Sequence, residues 1–152
     1  MANAQSAGWV AGLSPTELAK GAPPSPGEAR VTGYHGTQTK NVPSILANGL
    51  KRSDKGMLGP GIYWSDDVAK AKAYSDGTIL QLSIAQGKTQ QIDRQDHPMR
   101  VTWVAAGFHT AAVPPKCGMV KSGLSEMCTF YPERVTVVGI SRDRGKTWAA
   151  HP

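Results

Sequence analysis

The chain has 152 residues, a formal net charge of +6 at pH 7 and a pI of about 9.5; 39% of its residues are hydrophobic and 18% are charged. This length fits one domain, and the composition excludes a disordered or fibrous protein. No apolar run approaches the roughly 18 residues that cross a membrane, and the first residues lack the pattern of a signal peptide. We therefore expect a soluble intracellular protein. Its positive charge favours anionic partners, although a basic surface that serves solubility is the simpler interpretation.

The first 30 residues are predicted to form an extension that precedes the domain. The stretch SPTE at 14–17 is a capping box, and Gly21 is expected to end the short helix that it begins. The following GAPPSPGE predicts irregular backbone, because proline and glycine punctuate regular structure. We therefore divide the chain into an extension, 1–30, and a domain, 31–152.

Two strands and two short helices are predicted to alternate at the start of the domain. RVTGYHGT reads as a strand, and NVPSILANGL reads as a helix with Asn41 as its cap, Pro43 in its first turn and Gly49 at its end. GIYW is a short run of strand formers. Ser65 is expected to cap the helix that follows it.

The rest of the chain is predicted to consist mostly of strands. TILQLSIA alternates in the manner of a half-buried strand, and KTQQID, FHTAAV, SEMCTFY and VTVVGIS are predicted to form four more. Strands that follow two short helices predict an α+β fold with a largely antiparallel sheet, rather than regular βαβ units.

Three other motifs have structural rather than functional interpretations. The residues His97, His109, Cys117 and Cys128 lack the spacing of metal ligands, so we expect no metal and two reduced thiols. GMLGPG lacks the Lys-Ser/Thr of a phosphate-binding loop. SRDRGKTW is interpreted as a tight turn, in which Asp143 binds backbone amides and Gly145 supplies a positive φ.

Three further patches gain significance together: YHGTQTKN at 34–41, GMLGPGIYWSDDVAKAKAYS at 56–75 and SEMCTFYPERV at 125–135. They contain the motif His35-Gly36-Thr37, the motif GPGIY ending in Tyr63 with Tyr74 eleven residues later, and Glu126 at the start of a strand. These motifs resemble those of the poly(ADP-ribose) polymerase catalytic domain, a diphtheria-toxin-like ADP-ribosyltransferase. The resemblance covers roughly residues 31–141. The stretch from 92 to 120 also resembles small stand-alone proteins of this kind.

The resemblance implies both a fold and an activity. The fold would be the ADP-ribosyltransferase fold, in which two packed, mostly antiparallel sheets and short helices surround an NAD cleft. The activity would be cleavage of NAD at its nicotinamide–ribose bond and transfer of ADP-ribose, in single units, to a protein or nucleic-acid acceptor. NAD would be the substrate, no metal would be needed, and we expect a monomer that does not bind membranes.

The resemblance also implies roles for the residues that react with or surround the nicotinamide. Glu126, His35 and Tyr63 would form the catalytic triad, with Glu126 stabilising the positive charge that develops on the ribose. Tyr74 would stack on one face of the nicotinamide ring, and Tyr63 would close the other side. Gly36 would offer its backbone N–H and C=O to the carboxamide.

The other half of NAD would be held by residues near the first helix. By resemblance, His35 would bind a hydroxyl of the adenosine ribose, and Thr37 and Asn41 would fix the adenosine. Lys51 matches a basic residue that follows Gly-Leu in the family, and it is placed with the NAD-binding residues.

One position departs from the family pattern and keeps other functions open. Ala71 stands where the family usually has a serine that binds the carboxamide, and losing that bond is expected to weaken NAD binding by about 1 kcal/mol. A first alternative is therefore a module that binds NAD or ADP-ribose without transfer. A second is an RNA-directed enzyme of related fold, which the positive charge permits.

Overall fold

The computed structural model describes residues 20–152, which contain eight strands and two α-helices. The elements are β1 (Val31–Thr37), α1 (Val42–Asn48), β2 (Ile62–Trp64), α2 (Val68–Lys72), β3 (Thr78–Ile84), β4 (Thr89–Gln91), β5 (Thr110–Val113), β6 (Glu126–Thr129), β7 (Val135–Ser141) and β8 (Ala149–Ala150). The predictions of the first seven strands and both helices of the domain are confirmed. The two-residue β8 was not predicted. The helix expected from SPTE lies outside the described residues.

The strands form two four-stranded sheets. The first has the order β1-β3-β7-β8 and is antiparallel throughout. The second has the order β2-β6-β5-β4, in which only the β4–β5 pair is parallel. An isolated bridge between Tyr34 of β1 and Ser65 after β2 links the two sheets. The architecture is that of an α+β protein with two mostly antiparallel sheets, as the sequence and the resemblance predict.

Two hydrophobic clusters form the core, and the first of them joins residues of both sheets. In the first cluster, Leu80, Leu82 and Ile84 alternate along β3 and are fully buried, because every second side chain of a strand faces the same side. The second cluster surrounds Trp103 and Tyr131, and the indole N–H of Trp103 donates to the carbonyl of Leu58 at 2.8 Å. Neither helix is long and apolar enough to span a membrane, as far as residues 20–152 are concerned.

The ends of α1 agree only in part with the sequence predictions. Pro43 lies in the first turn, and Gly49 ends the helix with a φ of 80° while its N–H donates to the carbonyl of Ile45 at 2.7 Å. The predicted cap is wrong, because the side chain of Asn41 makes no capping hydrogen bond. A 3₁₀ turn, Thr39–Asn41, leads directly into the helix, so Asn41 has helical dihedral angles rather than those of a cap.

The cap of α2 is Asp67 and not the predicted Ser65. A side-chain oxygen of Asp67 accepts from the N–H of Ala69 at 2.9 Å, which satisfies one donor of the first turn. The hydroxyl of Ser65 is used elsewhere: it lies 2.8 Å from the carbonyl of Ser125 and accepts from the N–H of Asp67. Ser65 therefore ties the start of α2 to the residue before β6.

The turn at 141–148 forms as predicted. A carboxylate oxygen of Asp143 accepts from the N–H of Thr147 at 2.9 Å, and Gly145 has a φ of 87°. Hydrogen bonds from Thr147 and from the hydroxyl of Ser141 lower the pKa of Asp143 to about 2. The turn brings Trp148 against Tyr34, with 5.7 Å between their ring centroids.

Candidate active site

A cavity of about 890 Å³ lies where β1, β2, α2 and the first residue of β6 meet. Seven of the residues proposed from the sequence line it: His35, Gly36, Lys51, Tyr63, Ala71, Tyr74 and Glu126. Thr37 and Asn41 do not. Thr37 is buried opposite Thr78, and Asn41 is exposed, so the adenosine-binding roles of these two residues stay predictions.

The register of the second sheet brings Tyr63 and Glu126 to one face. Tyr63 of β2 lies directly opposite Cys128 of β6, and directly opposed residues of antiparallel strands share a face. Glu126 is two residues from Cys128 on the same strand and therefore shares that face too. Residues separated by 63 positions in sequence thus become diagonal neighbours at the cavity wall.

His35 is held in one orientation by a bond between the two sheets. Its Nδ1 lies 2.6 Å from the carbonyl oxygen of Tyr63, and a carbonyl only accepts, so Nδ1 carries the proton and donates. Burial lowers the pKa of His35, although this hydrogen bond opposes the shift. The neutral ring leaves Nε2 as an acceptor at the cavity.

Gly36 is required by the close approach of α2 to β1. A Cβ at this position would overlap the carbonyl oxygen of Ala71 and lie 3.2 Å from the carbonyl carbon of Tyr74. Both obstacles are backbone atoms, which cannot rotate away. The structure therefore gives a packing reason for glycine here, in addition to the recognition role that the resemblance implies.

We expect Gly36→Ala to displace α2, which carries Ala71 and is followed by Tyr74. Overpacking of this kind costs about 1–3 kcal/mol, to be measured by urea unfolding, and ligand binding in the cavity should weaken with it. Gly139→Ala is the matched control in the same sheet, because the closest contact of its Cβ would be the mobile end of Gln81 at 3.1 Å. Equal stability of the two variants would contradict the packing role of Gly36.

The hydroxyl of Tyr63 is engaged by the loop that precedes β2. It accepts from the N–H of Leu58 at 2.9 Å and donates to the carbonyl of Gly59 at 2.6 Å. The ring also packs against Gly56, where a Cβ would overlap the hydroxyl. Burial raises the pKa of Tyr63, so the hydroxyl stays protonated. Tyr63 therefore fixes the loop at the cavity edge, a role that the sequence did not suggest.

Glu126 forms an ion pair with a lysine that the sequence analysis missed. The Nζ of Lys70 lies 3.3 Å from a carboxylate oxygen of Glu126, and the two side chains are only 9% and 15% exposed. The same Nζ lies 3.5 Å from the hydroxyl of Tyr74 and 5.2 Å from the centroid of its ring. Lys70 stands four residues before Tyr74 at the end of a helix, and this spacing is the sequence signal that pairs them.

The backbone before Glu126 is anchored to the start of α2. The hydroxyl of Ser125 donates to the carboxylate of Asp66 and lies 3.0 Å from the hydroxyl of Ser65. Ser65 and Ser125 are both buried, so these polar groups satisfy one another away from water. This network holds Glu126 in place relative to α2 and to Lys70.

Comparison with known proteins assigns a family to this arrangement. A sequence model of the poly(ADP-ribose) polymerase catalytic domain matches residues 15–102, which is more than half of the chain. The match includes His35, Tyr63, Lys70 and Tyr74 and ends before Glu126. The chain matches no curated protein. Within residues 20–152, no three His, Cys, Asp or Glu side chains are grouped in a way that could hold a metal ion.

Proposed function

The chain belongs to the poly(ADP-ribose) polymerase catalytic-domain family, and from this we propose that it is an NAD-dependent transferase of single ADP-ribose units to a protein or nucleic-acid acceptor. The observation that carries the proposal is the convergence of His35, Tyr63, Tyr74 and Glu126 on one cavity. The size of the cavity, about 890 Å³, lies in the range of sites that enclose a ligand of moderate size.

The nicotinamide half of NAD fits between Tyr74 and Gly36. Tyr74 is 62% exposed, which leaves a ring face for stacking on a flat, cationic heterocycle. The N–H and C=O of Tyr34 form hydrogen bonds with Ser65 and therefore point away from β3. In a strand, the backbone N–H and C=O groups of every second residue point to the same side. Gly36, two residues on, therefore presents its N–H and C=O on the side away from β3 and available to the carboxamide.

Glu126 would act at the reacting carbon. As the nicotinamide leaves, positive charge develops on the ribose, and a fixed carboxylate stabilises that charge without having to reorganise. Lys70, whose Nζ lies 3.3 Å from a carboxylate oxygen of Glu126, would hold this carboxylate in one orientation before NAD binds. The Nε2 acceptor of His35 would bind a ribose hydroxyl of the adenosine half.

The number of ADP-ribose units that each acceptor receives is the finer part of the proposal, and we propose single units. Gel analysis of the modified products tests this point. Discrete bands are expected, whereas a smear of long products would contradict it.

A module that binds NAD without transferring ADP-ribose is the second candidate, and Ala71 favours it. Ala71 lines the cavity and is 3% exposed, but its side chain has no group to bind the carboxamide. Such a module would bind NAD and release no nicotinamide. The ion pair of Glu126 in the cavity wall favours the transferase.

Replacement of Tyr63 by phenylalanine should affect NAD binding more than the chemical step. The variant loses two hydrogen bonds to the loop at 58–59, each worth about 1 kcal/mol, and keeps the ring. We expect a KM for NAD raised by up to about thirtyfold, since about 2 kcal/mol is lost and 1.4 kcal/mol corresponds to a factor of ten, with kcat changed less than about threefold. Steady-state kinetics measure both constants. A large loss of kcat at unchanged KM would instead indicate direct contact of the hydroxyl with the reacting ribose.

The turnover of NAD tests the proposed function. Purified protein would be incubated with NAD, and free nicotinamide would be quantified by chromatography over time. Release above the level of a Glu126→Gln variant shows that the cavity cleaves NAD, as a transferase must and a binding module does not. Saturable NAD binding by calorimetry without any release would support the binding module instead.

A further inference from the structure

One wall of the cavity is the loop that connects α1 to β2, residues 51–61, the cavity loop. Ser53 and Gly61 close its base, because the N–H of each donates to the carbonyl of the other, at 2.8 and 3.1 Å. The first half of the loop lines the cavity with Lys51, Ser53, Lys55, Gly56 and Met57. The shape of this wall therefore depends on how firmly the loop is held.

The second half of the cavity loop is held by side chains from outside it. Three successive carbonyls, at 57–59, each accept a side-chain hydrogen bond, at 2.6, 2.8 and 2.6 Å in chain order. The donors, in the same order, are Arg100, Trp103 and Tyr63. In the first half, at 51–55, the corresponding contact comes from Arg52.

Arg52 binds the residue that follows β6. Its Nε donates to the carbonyl of Phe130 at 2.7 Å, and its guanidinium carbon lies 3.9 Å from the centroid of the Phe130 ring. One planar group thus uses its edge as a donor and its face for a cation–π contact, which a lysine ammonium cannot do. The N–H of Phe130 donates to the carbonyl of His109 at 3.1 Å. Arg52 therefore holds the first half of the cavity loop against the second sheet.

Arg52 lies between two residues that line the cavity and does not line it itself. Lys51 and Ser53 are cavity residues, whereas the guanidinium of Arg52 contacts Phe130. An effect of Arg52 on a ligand would therefore pass through the position of its neighbours. Glu126 stands at the opposite end of β6 and is anchored by its own network. A change at Arg52 should reach the loop and leave this carboxylate in place.

From these contacts, and on the premise of the proposed function, we infer that Arg52 is a positioning residue for NAD. It fixes the first half of the cavity loop before NAD binds, so that binding does not have to order this wall. Ordering side chains on binding costs affinity, and a site that is fixed in advance avoids that loss. The chemical step at Glu126 does not depend on Arg52.

Steady-state kinetics of Arg52→Met test this role. The variant removes both the donor and the cation. We expect a KM for NAD raised about three- to tenfold, the factor that corresponds to ordering one or two further side chains on binding, with kcat within about twofold of wild type. A loss of kcat as large as the rise in KM would overturn the inference.

Arg94→Met is the matched control, because it removes the same charge from an exposed arginine outside the cavity. It should keep the wild-type KM. An equal rise of KM in Arg94→Met and Arg52→Met would show a general effect of net charge on NAD, and the positioning role would be lost.

Two further variants separate positioning from direct attraction of NAD. Arg52→Lys keeps the charge but not the flat face with its donor edge, so its KM should stay nearer to that of Arg52→Met than to wild type. Full recovery by lysine would indicate direct attraction and overturn the inference. Phe130→Leu removes the ring under the guanidinium. Combined with Arg52→Met, it should raise KM by less than the product of the two single effects, and a full product would contradict their coupling.

Amide hydrogen exchange measures the cavity loop in the absence of NAD. The N–H groups of Ser53 and Gly61 bond across the base of the loop, so their exchange reports its opening. We expect both amides to exchange about tenfold faster in Arg52→Met and at wild-type rates in Arg94→Met. Unchanged exchange in Arg52→Met overturns the inference whatever the kinetics show.

Calorimetry of NAD binding separates this inference from the proposed function. If wild-type protein binds NAD but releases no nicotinamide, the transferase is excluded, and the affinity for NAD should still fall in Arg52→Met. Equal affinity of wild type and Arg52→Met overturns the positioning role and leaves the proposed function standing. If wild-type protein binds no NAD at all, the proposed function fails, and the role of Arg52 toward NAD fails with it.

Discussion

Glu126→Gln is expected to lower the kcat of ADP-ribose transfer by about a hundred- to a thousandfold, the usual effect of removing one fixed group that stabilises transition-state charge. Glutamine has the same shape as glutamate but lacks the charge that would face the developing cation. It also leaves Lys70, whose side chain is 9% exposed, without its ionic partner. Initial rates of nicotinamide release at saturating NAD measure the effect.

Glu133→Gln is the matched control for this prediction. Glu133 is exposed and lies outside the cavity, where it accepts from the N–H of Ala22, and glutamine preserves an accepting oxygen. The control should keep wild-type kcat. If folded Glu126→Gln keeps a kcat within a few-fold of wild type, Glu126 does not stabilise the reacting ribose.

Arg134→Met is expected to cost about 3 kcal/mol of unfolding free energy, because a buried cluster of hydrogen bonds loses its shared donor. The Arg134 side chain is 5% exposed, and it donates from Nη1 to Glu28 at 2.7 Å and to the carbonyl of Ala85 at 3.1 Å. Its Nε donates to the carbonyl of Ala22 at 2.7 Å. Arg134 thus holds residues 22–28 against the sheets. Methionine has a similar volume but cannot donate these hydrogen bonds.

Arg94→Met provides the comparison, since Arg94 pairs with Asp93 and Asp96 at the surface. Its side chain is 58% exposed, and an exposed pair contributes about 0–1 kcal/mol. Urea unfolding at neutral pH would measure both variants. Similar midpoints for the two arginine variants would contradict the fastening role of Arg134.

Strands and helices were predicted correctly where the hydrophobic residues follow a single periodicity or where proline and glycine mark the ends of an element. The alternation of TILQLSIA predicts the buried face of β3, and Gly49 and Pro43 mark the limits of α1. The cap of α2 was predicted wrongly because Ser65 and Asp67 are both good caps, and the choice depends on Ser125, which is 60 residues away. The short β8 has two alanines and no alternation to reveal it.

The assembly of the site depended on contacts that local patterns do not encode. The register that sets Tyr63 opposite Cys128 brings Glu126 to the same face, and only the family resemblance pointed to this meeting. The contact of Lys70 with Tyr74 could have been predicted from their spacing of four residues. The ion pair of Lys70 with Glu126 is a tertiary contact, which this spacing does not encode. The bonds from the hydroxyl of Tyr63 to its own loop required the folded structure.

The decisive experiment follows both ends of NAD in one reaction. Wild-type protein would be incubated with NAD labelled in the adenine and, separately, in the nicotinamide ring, and the macromolecules would be denatured before counting. We expect the adenine label to remain covalently attached to an acceptor while the nicotinamide label is released in equal amount, and both signals to vanish in Glu126→Gln. If folded wild-type protein binds NAD and neither label moves, the cavity is a binding site and not an active site.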